Sequence, residues 1–216
     1  DRFIEEHADL TALHFDGGVP WPEALENKPF SDGLLEEWTS TRMEIPPDHT
    51  LLISITPLNL TRTELALYWG DSDNMPLPPP WDERQLSHPE VSVAYLNYAQ
   101  QVIDFFDPDY FAIGIEVNIA QANAPNTWTA YKELHKSTYQ ALKSEYPELP
   151  IFATYTLSHL NGLDGGDRDV QNKEIAEMLE YSDMIGLSVY PYGWFYETGK
   201  ADPIPEDLFD TALVFD

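Results

Sequence analysis

In this chain of 216 residues, one carboxylate stands where an apolar strand should end. In Tyr110-Phe-Ala-Ile-Gly-Ile-Glu-Val-Asn118 the bulky Phe111, Ile113 and Ile115 alternate with the small Ala112 and Gly114, and the small series runs on to Glu116. Side chains alternate between the two faces of a strand. One face is therefore greasy, and the other is narrow and delivers Glu116 to the strand's C-terminal end. A charge placed there is costly unless it has partners or a task. A carboxyl in tight apolar surroundings has a raised pKa and can donate a proton near neutral pH. Glu116 is thus a candidate general acid/base. The alternative is a strand-end carboxylate that is salt-bridged to an arginine or caps a helix. The chain holds only 11 Lys and Arg, so such partners are scarce. His14 and Asp16 end a second apolar run, where they are candidates to bind a hydroxyl or to orient one another.

The elements that must position these groups alternate. Strand-like apolar runs are Leu10–Phe15, Thr50–Thr56, Tyr110–Glu116, Ile151–Thr156 and Met184–Tyr190. Helix-like segments fall between them at Asp32–Met43, Pro89–Phe106, Thr127–Tyr146 and Lys173–Tyr181, with a last one from Pro205. Val91, Tyr95, Tyr98 and Val102 recur at helical spacing, as do Trp128, Tyr131, Tyr139 and Leu142; both stripes read as helix packed on sheet. Ser31 is placed to cap one helix, and Pro89 suits a first helical position. Strands alternating with helices predict parallel βαβ units. The strand faces are two-sided. Ile185, Leu187 and Val189 oppose Gly186, Ser188 and Tyr190; Leu13 and Phe15 oppose Ala12, His14 and Asp16. Such strands suit a barrel, with the aliphatic face against helices and polar groups at the C-terminal rim. A complete eight-stranded barrel takes about 250 residues. Five strands cannot close one. The expectation is an α/β fold of (β/α)8 TIM-barrel type, incomplete in this chain, carrying about strands two to six. Residues 1–216 are expected to form a single (β/α)-barrel catalytic domain, a fragment that lacks the first and last strands, and Asp1–His7 reads like the end of a preceding helix.

Bulk composition narrows the partners. There are 38 Asp and Glu, and the formal net charge is -27. Such a surface repels nucleic acid and anionic membranes and suits a neutral substrate. No apolar run reaches the length of a membrane span. There are no cysteines, so disulfides and thiolate metal sites are excluded. Acids are mixed with 6 Trp, 12 Tyr and 10 Phe, which argues against disorder. No His pair has zinc spacing, and neither a nucleophile elbow nor a phosphate loop is present. The loops Asp71-Ser-Asp-Asn74 and Asp164-Gly-Gly-Asp-Arg-Asp169 lack EF-hand spacing and read as solvated turns.

Gly114-Ile-Glu-Val-Asn118, Asp183-Met-Ile-Gly-Leu-Ser-Val-Tyr-Pro-Tyr192 and the turn Gly18-Val-Pro-Trp21 together resemble clan A retaining glycoside hydrolases. The resemblance runs from about Leu10 to Tyr192 and is nearest to arabinogalactan endo-β-1,4-galactanases and similar (β/α)8 enzymes. It implies that Glu116 is the general acid/base at the end of strand four. It also implies that Tyr190 is the sixth-strand aromatic beside the nucleophile, and that the nucleophile is a glutamate on strand seven, beyond the chain end. Retaining enzymes hold the two carboxyls about 5–5.5 Å apart. The clan carries Asn directly before the acid/base; this chain has Ile115 there, with Asn118 two residues after Glu116.

The remaining candidates are aromatic. Trp21, Tyr155, Tyr192 and Trp194 are candidate platforms for the C–H face of a pyranose, and plain packing is the alternative for each. Glu116 is thus the expected catalytic residue. Asn118, Tyr190, Tyr155, His14, Asp16, Trp21, Tyr192 and Trp194 are the expected substrate-binding set. No metal and no cofactor is required. The expected partner is an oligosaccharide or polysaccharide, and a secreted or periplasmic location is favoured. The alternative function is a non-catalytic carbohydrate-binding barrel.

Overall fold

The computed structural model describes residues 7–163, 165–190, 207–210 and 215. Five strands form one sheet: β1 (Leu10–Phe15), β2 (Thr50–Ile55), β3 (Tyr110–Ala112), β4 (Ile151–Thr156) and β5 (Ile185–Ser188). Their order in space is their order in sequence, and every neighbouring pair is parallel. Helices fill the connections: α1 (Trp21–Leu25) and α2 (Asp32–Glu44) after β1, α3 (Pro89–Phe106) after β2, α4 (Asn118–Asn123) and α5 (Pro125–Glu145) after β3, and α6 (Leu157–Leu160) and α7 (Arg168–Leu179) after β4.

This order has a geometric consequence. Parallel neighbours need crossovers, and crossovers are nearly always right-handed. When each strand is added beside the last in one direction, every helix falls on the same face. The sheet curls into a half-barrel with helices outside. Ile53, Phe111, Ile151, Ala153 and Tyr155 are fully buried on the helix side. On the other face Ala12, His14 and Asp16 are exposed, and Leu52 is half-buried. The alternation expected from β1 is therefore the division between core and concave face, whereas β5 is half-buried along its whole length.

The helices start where the local chemistry favours it. Ser31 Oγ accepts from Leu34 N at 3.2 Å and caps α2. Pro89 opens α3, and His88 Nδ1 accepts from Glu90 N at 3.3 Å. Asp167, in one of the acidic loops, caps α7 by accepting from Asp169 N and Val170 N. At the other rim, Asp109 accepts from Leu51 N at 2.7 Å and Asp183 from Ile151 N at 2.8 Å, so each pins the first turn of a neighbouring strand. Trp38 of α2 and Tyr98, Phe105 and Phe106 of α3 meet in an aromatic cluster that locks the two helices together.

The structure departs from the sequence reading at the third strand. Ladder pairing ends at Ala112 rather than running to Glu116. The carbonyl of Ile113 turns toward the helices, where Tyr95 Oη donates to it at 3.1 Å and Tyr131 Oη lies 3.2 Å away. Gly114 permits this approach, because a Cβ there would sit 1.9 Å from Tyr131 Oη. Irregular bonds to β4 continue, from Ile113 N to Phe152 O and from Thr154 N to Gly114 O. The short helices α1, α4 and α6 are below the length at which periodicity is readable. The helix expected from Pro205 and the helix end at Asp1–His7 lie largely outside the described residues. Among the described residues no helix is long and apolar enough to cross a membrane.

Candidate active site

The concave face holds a cleft of about 420 Å³ at the C-terminal ends of the strands. His14 and Asp16 come from β1 and its end, Ser54 from β2, Thr154 from β4, and Ser188 and Tyr190 from β5 and beyond it. Glu116 enters from the bend after β3, and Arg62 from the loop after β2. The floor is small or apolar, with Ala12, Leu52, Phe152 and Gly186. A Cβ on Gly186 would lie 2.8 Å from the Phe152 ring, so that glycine keeps the wall of β5 close to β4.

Glu116 does not ride on a regular strand. Its backbone is left-handed, with φ 51°. An L-residue there is strained, and such strain concentrates at functional sites. Its N–H donates to Thr154 Oγ1 at 2.9 Å, which fixes the turn to β4. The side chain is 15% exposed. Its two oxygens have different partners: Tyr190 Oη donates to Oε1, and Arg62 Nη2 lies 3.9 Å from Oε2. The hydrogen bond to Glu116, then burial, pushes the Tyr190 phenol up to about 12.

Arg62 is the group that sequence reasoning missed. Only 4% of its side chain is exposed, and its backbone is also left-handed at φ 59°. It stands in a tight turn built by Asn59. Asn59 Oδ1 accepts from Thr63 N at 3.0 Å and Thr61 Oγ1 at 3.1 Å, while Asn59 O accepts from both Arg62 N and Arg62 Nη1 at 2.9 Å. Burial lowers the guanidinium's pKa, and the charges of Glu116 and Asp16 oppose that shift. No spacing in the sequence links Arg62 to Glu116. The legible signal is Asn59, a residue type that favours turns, three residues before Arg62.

The other expected residues divide. His14, Asp16 and Tyr190 line the cleft with Glu116. Asn118 does not: it is fully buried. Its Oδ1 accepts from Thr156 N at 2.7 Å, and its Nδ2 donates to Thr156 O and Gln171 Oε1, both at 3.0 Å. It clamps α4 to β4 and α7, because the chain turns into a helix before Asn118 can follow Glu116 along a strand. Tyr155 is fully buried on the helix side of β4, since it lies one residue out of phase with the cleft-facing Thr154. Trp21 is fully buried too; it stacks on Trp81 at 5.3 Å, and its Nε1 donates to Ala66 O at 2.9 Å. None of these three offers a face to a ligand. Tyr192 and Trp194 lie outside the described residues.

Among the described residues no cluster of three or more His, Cys, Asp or Glu is arranged to hold a metal ion. The cleft presents the carboxylates of Glu116 and Asp16 as acceptors, the His14 ring and the Ser188 hydroxyl, and one nearly buried positive charge. No protein-family model matches the chain, and no curated protein matches its sequence.

Proposed function

We propose that the chain forms much of a (β/α)8 barrel in a retaining glycoside hydrolase that cleaves β-glycosidic bonds of a polysaccharide. The supporting observation is the setting of Glu116. A strained backbone at the C-terminal rim of a singly wound parallel sheet holds a nearly buried carboxyl in a cleft, with Tyr190 on one oxygen. Sites at that rim are the rule for (β/α) barrels. In the first step a second carboxylate bonds to the anomeric carbon while Glu116 gives its proton to the leaving glycosidic oxygen as the C–O bond breaks. In the second, its carboxylate takes a proton from the water that attacks the glycosyl–enzyme ester, which releases the sugar with its anomeric configuration retained. The nucleophile in this proposal is a glutamate on a later strand of the barrel. Asp16 and His14 bind substrate hydroxyls. No cofactor takes part.

A second reading, a non-catalytic carbohydrate-binding barrel, is favoured by one observation: the charge of Arg62 faces Glu116. A carboxylate that faces a buried cation is a strong hydrogen-bond acceptor for the hydroxyls of a bound sugar, which suits recognition without bond cleavage. The test is to incubate the protein, in its full natural length, with a panel of β-linked polysaccharides, reading reducing ends released and product anomers by NMR. Turnover lowered about 10²–10⁴-fold by Glu116→Gln is expected. Equal turnover by Glu116→Gln rejects the catalytic assignment, and saturable binding without hydrolysis favours the binder.

A further inference from the structure

We propose that Arg62 is the positioning residue of Glu116: it faces Oε2 while Tyr190 holds Oε1, and between them they fix which way the carboxyl points in the cleft. This rests on the reading of Glu116 as the acid/base. A buried guanidinium is costly, and a cation retained under that penalty needs a reason. The Asn59 turn is closed by bonds that do not use the Arg62 side chain. That side chain is instead tied by Nη1 to Asn59 O, which leaves Nη2 facing Glu116. At 3.9 Å the contact is an ion pair and too long for a hydrogen bond. The attraction therefore orients Oε2 without occupying it, so Oε2 stays available to exchange a proton with a ligand. The other groups whose charges act on Arg62 are Asp16, Tyr190 and Tyr131. With only 4% of its side chain exposed, Arg62 meets the cleft chiefly through its neighbour Glu116.

The test compares Arg62→Met, Arg62→Lys and the wild type, with Tyr190 followed by NMR of ring-labelled tyrosine from pH 8 upward. In the wild type the Glu116 contact holds the phenol near 12, against an ordinary 10. If Arg62 orients the carboxyl, Arg62→Met lets Glu116 leave Tyr190, the phenol falls toward 10, and Arg62→Lys restores it. If Arg62 is only a nearby charge, its loss moves the phenol the other way, since Arg62 itself lowers that value; an unchanged or raised phenol overturns the proposal. Arg62→Gln replaces Arg62→Met if the latter fails to give a cooperative melt. On any polysaccharide the wild type cleaves, Arg62→Met is expected to lower kcat about 100-fold with KM little changed, and Arg62→Lys to recover most of it. If the wild type cleaves nothing, the acid/base reading fails, while the Tyr190 titration still decides whether Arg62 orients Glu116.

Discussion

Arg62 and Glu116 face each other at 3.9 Å in the cleft wall, with both backbones in the left-handed region, at φ 59° and 51°. Neither is glycine, so each conformation costs about 1–2 kcal/mol against an ordinary one. The surroundings hold both: the Asn59 turn fixes Arg62, and Thr154 fixes the Glu116 amide. Ordinary backbone at either position would aim its side chain elsewhere. The pair exists because two strained turns are stabilised from outside.

The strain at Glu116 can be measured. Glu116→Gly and Glu116→Ala both delete the carboxyl, but only glycine relaxes in the left-handed region. Glu116→Gly is expected to be the more stable by about 1 kcal/mol in urea unfolding. Equal stability, or alanine ahead, would mean that residue 116 is unstrained.

The bend after β3 depends on Gly114 and Tyr131. A Cβ at Gly114 would meet Tyr131 Oη at 1.9 Å and Val117 Cγ1 at 2.6 Å. Gly114→Ala should therefore cost about 1–3 kcal/mol and displace Glu116, two residues on. Tyr131→Phe removes the nearest clashing atom, so adding it to Gly114→Ala should recover part of that loss. A double-mutant cycle by chemical denaturation reads the coupling; strict additivity would show that the two residues do not meet.

His135 makes stability fall with acid. It is buried in α5, with Nε2 donating to Tyr181 O at 2.8 Å and Nδ1 lying 3.2 Å from Tyr131 Oη. Burial, opposed by the bond to Tyr181, lowers its pKa from 6.5 to about 4. Above pH 6.5 both folded and unfolded states hold it neutral, and its contribution to stability is complete. Between 6.5 and 4 the unfolded chain binds a proton that the folded chain refuses, so stability declines as pH falls, by about 3 kcal/mol in all. Below 4 the contribution levels off. The imidazole signal should titrate near 4 by NMR, and His135→Gln should flatten this part of the stability profile. Titration near 6.5 would contradict the burial.

Much of the fold is legible in the sequence. The runs Leu10–Phe15 and Ile151–Thr156 and the helix Pro89–Phe106 stand where their patterns placed them, because long periodic segments bury one face and little else competes. Alternation in β1 told the concave face from the core, and so brought His14 and Asp16 toward Glu116. Pattern could not separate Asn118 and Tyr155 from the cleft. Asn118 falls after a bend that Tyr95 and Tyr131, distant in sequence, impose on Ile113. Tyr155 sits one residue out of phase on a strand buried along its whole length, where both faces look alike.

What the sequence alone determined was the supply of parts. It set a singly wound run of strands and helices, a carboxylate following an apolar strand, and a highly acidic surface, because hydrophobic periodicity and charge are local properties of the chain. The tertiary structure decided which parts meet. Arg62 reaches Glu116, Tyr190 takes its other oxygen, and Trp21 turns into the core, since contact between distant residues depends on how helices pack and where backbones bend. Those are sums over many weak interactions that no short stretch of sequence contains.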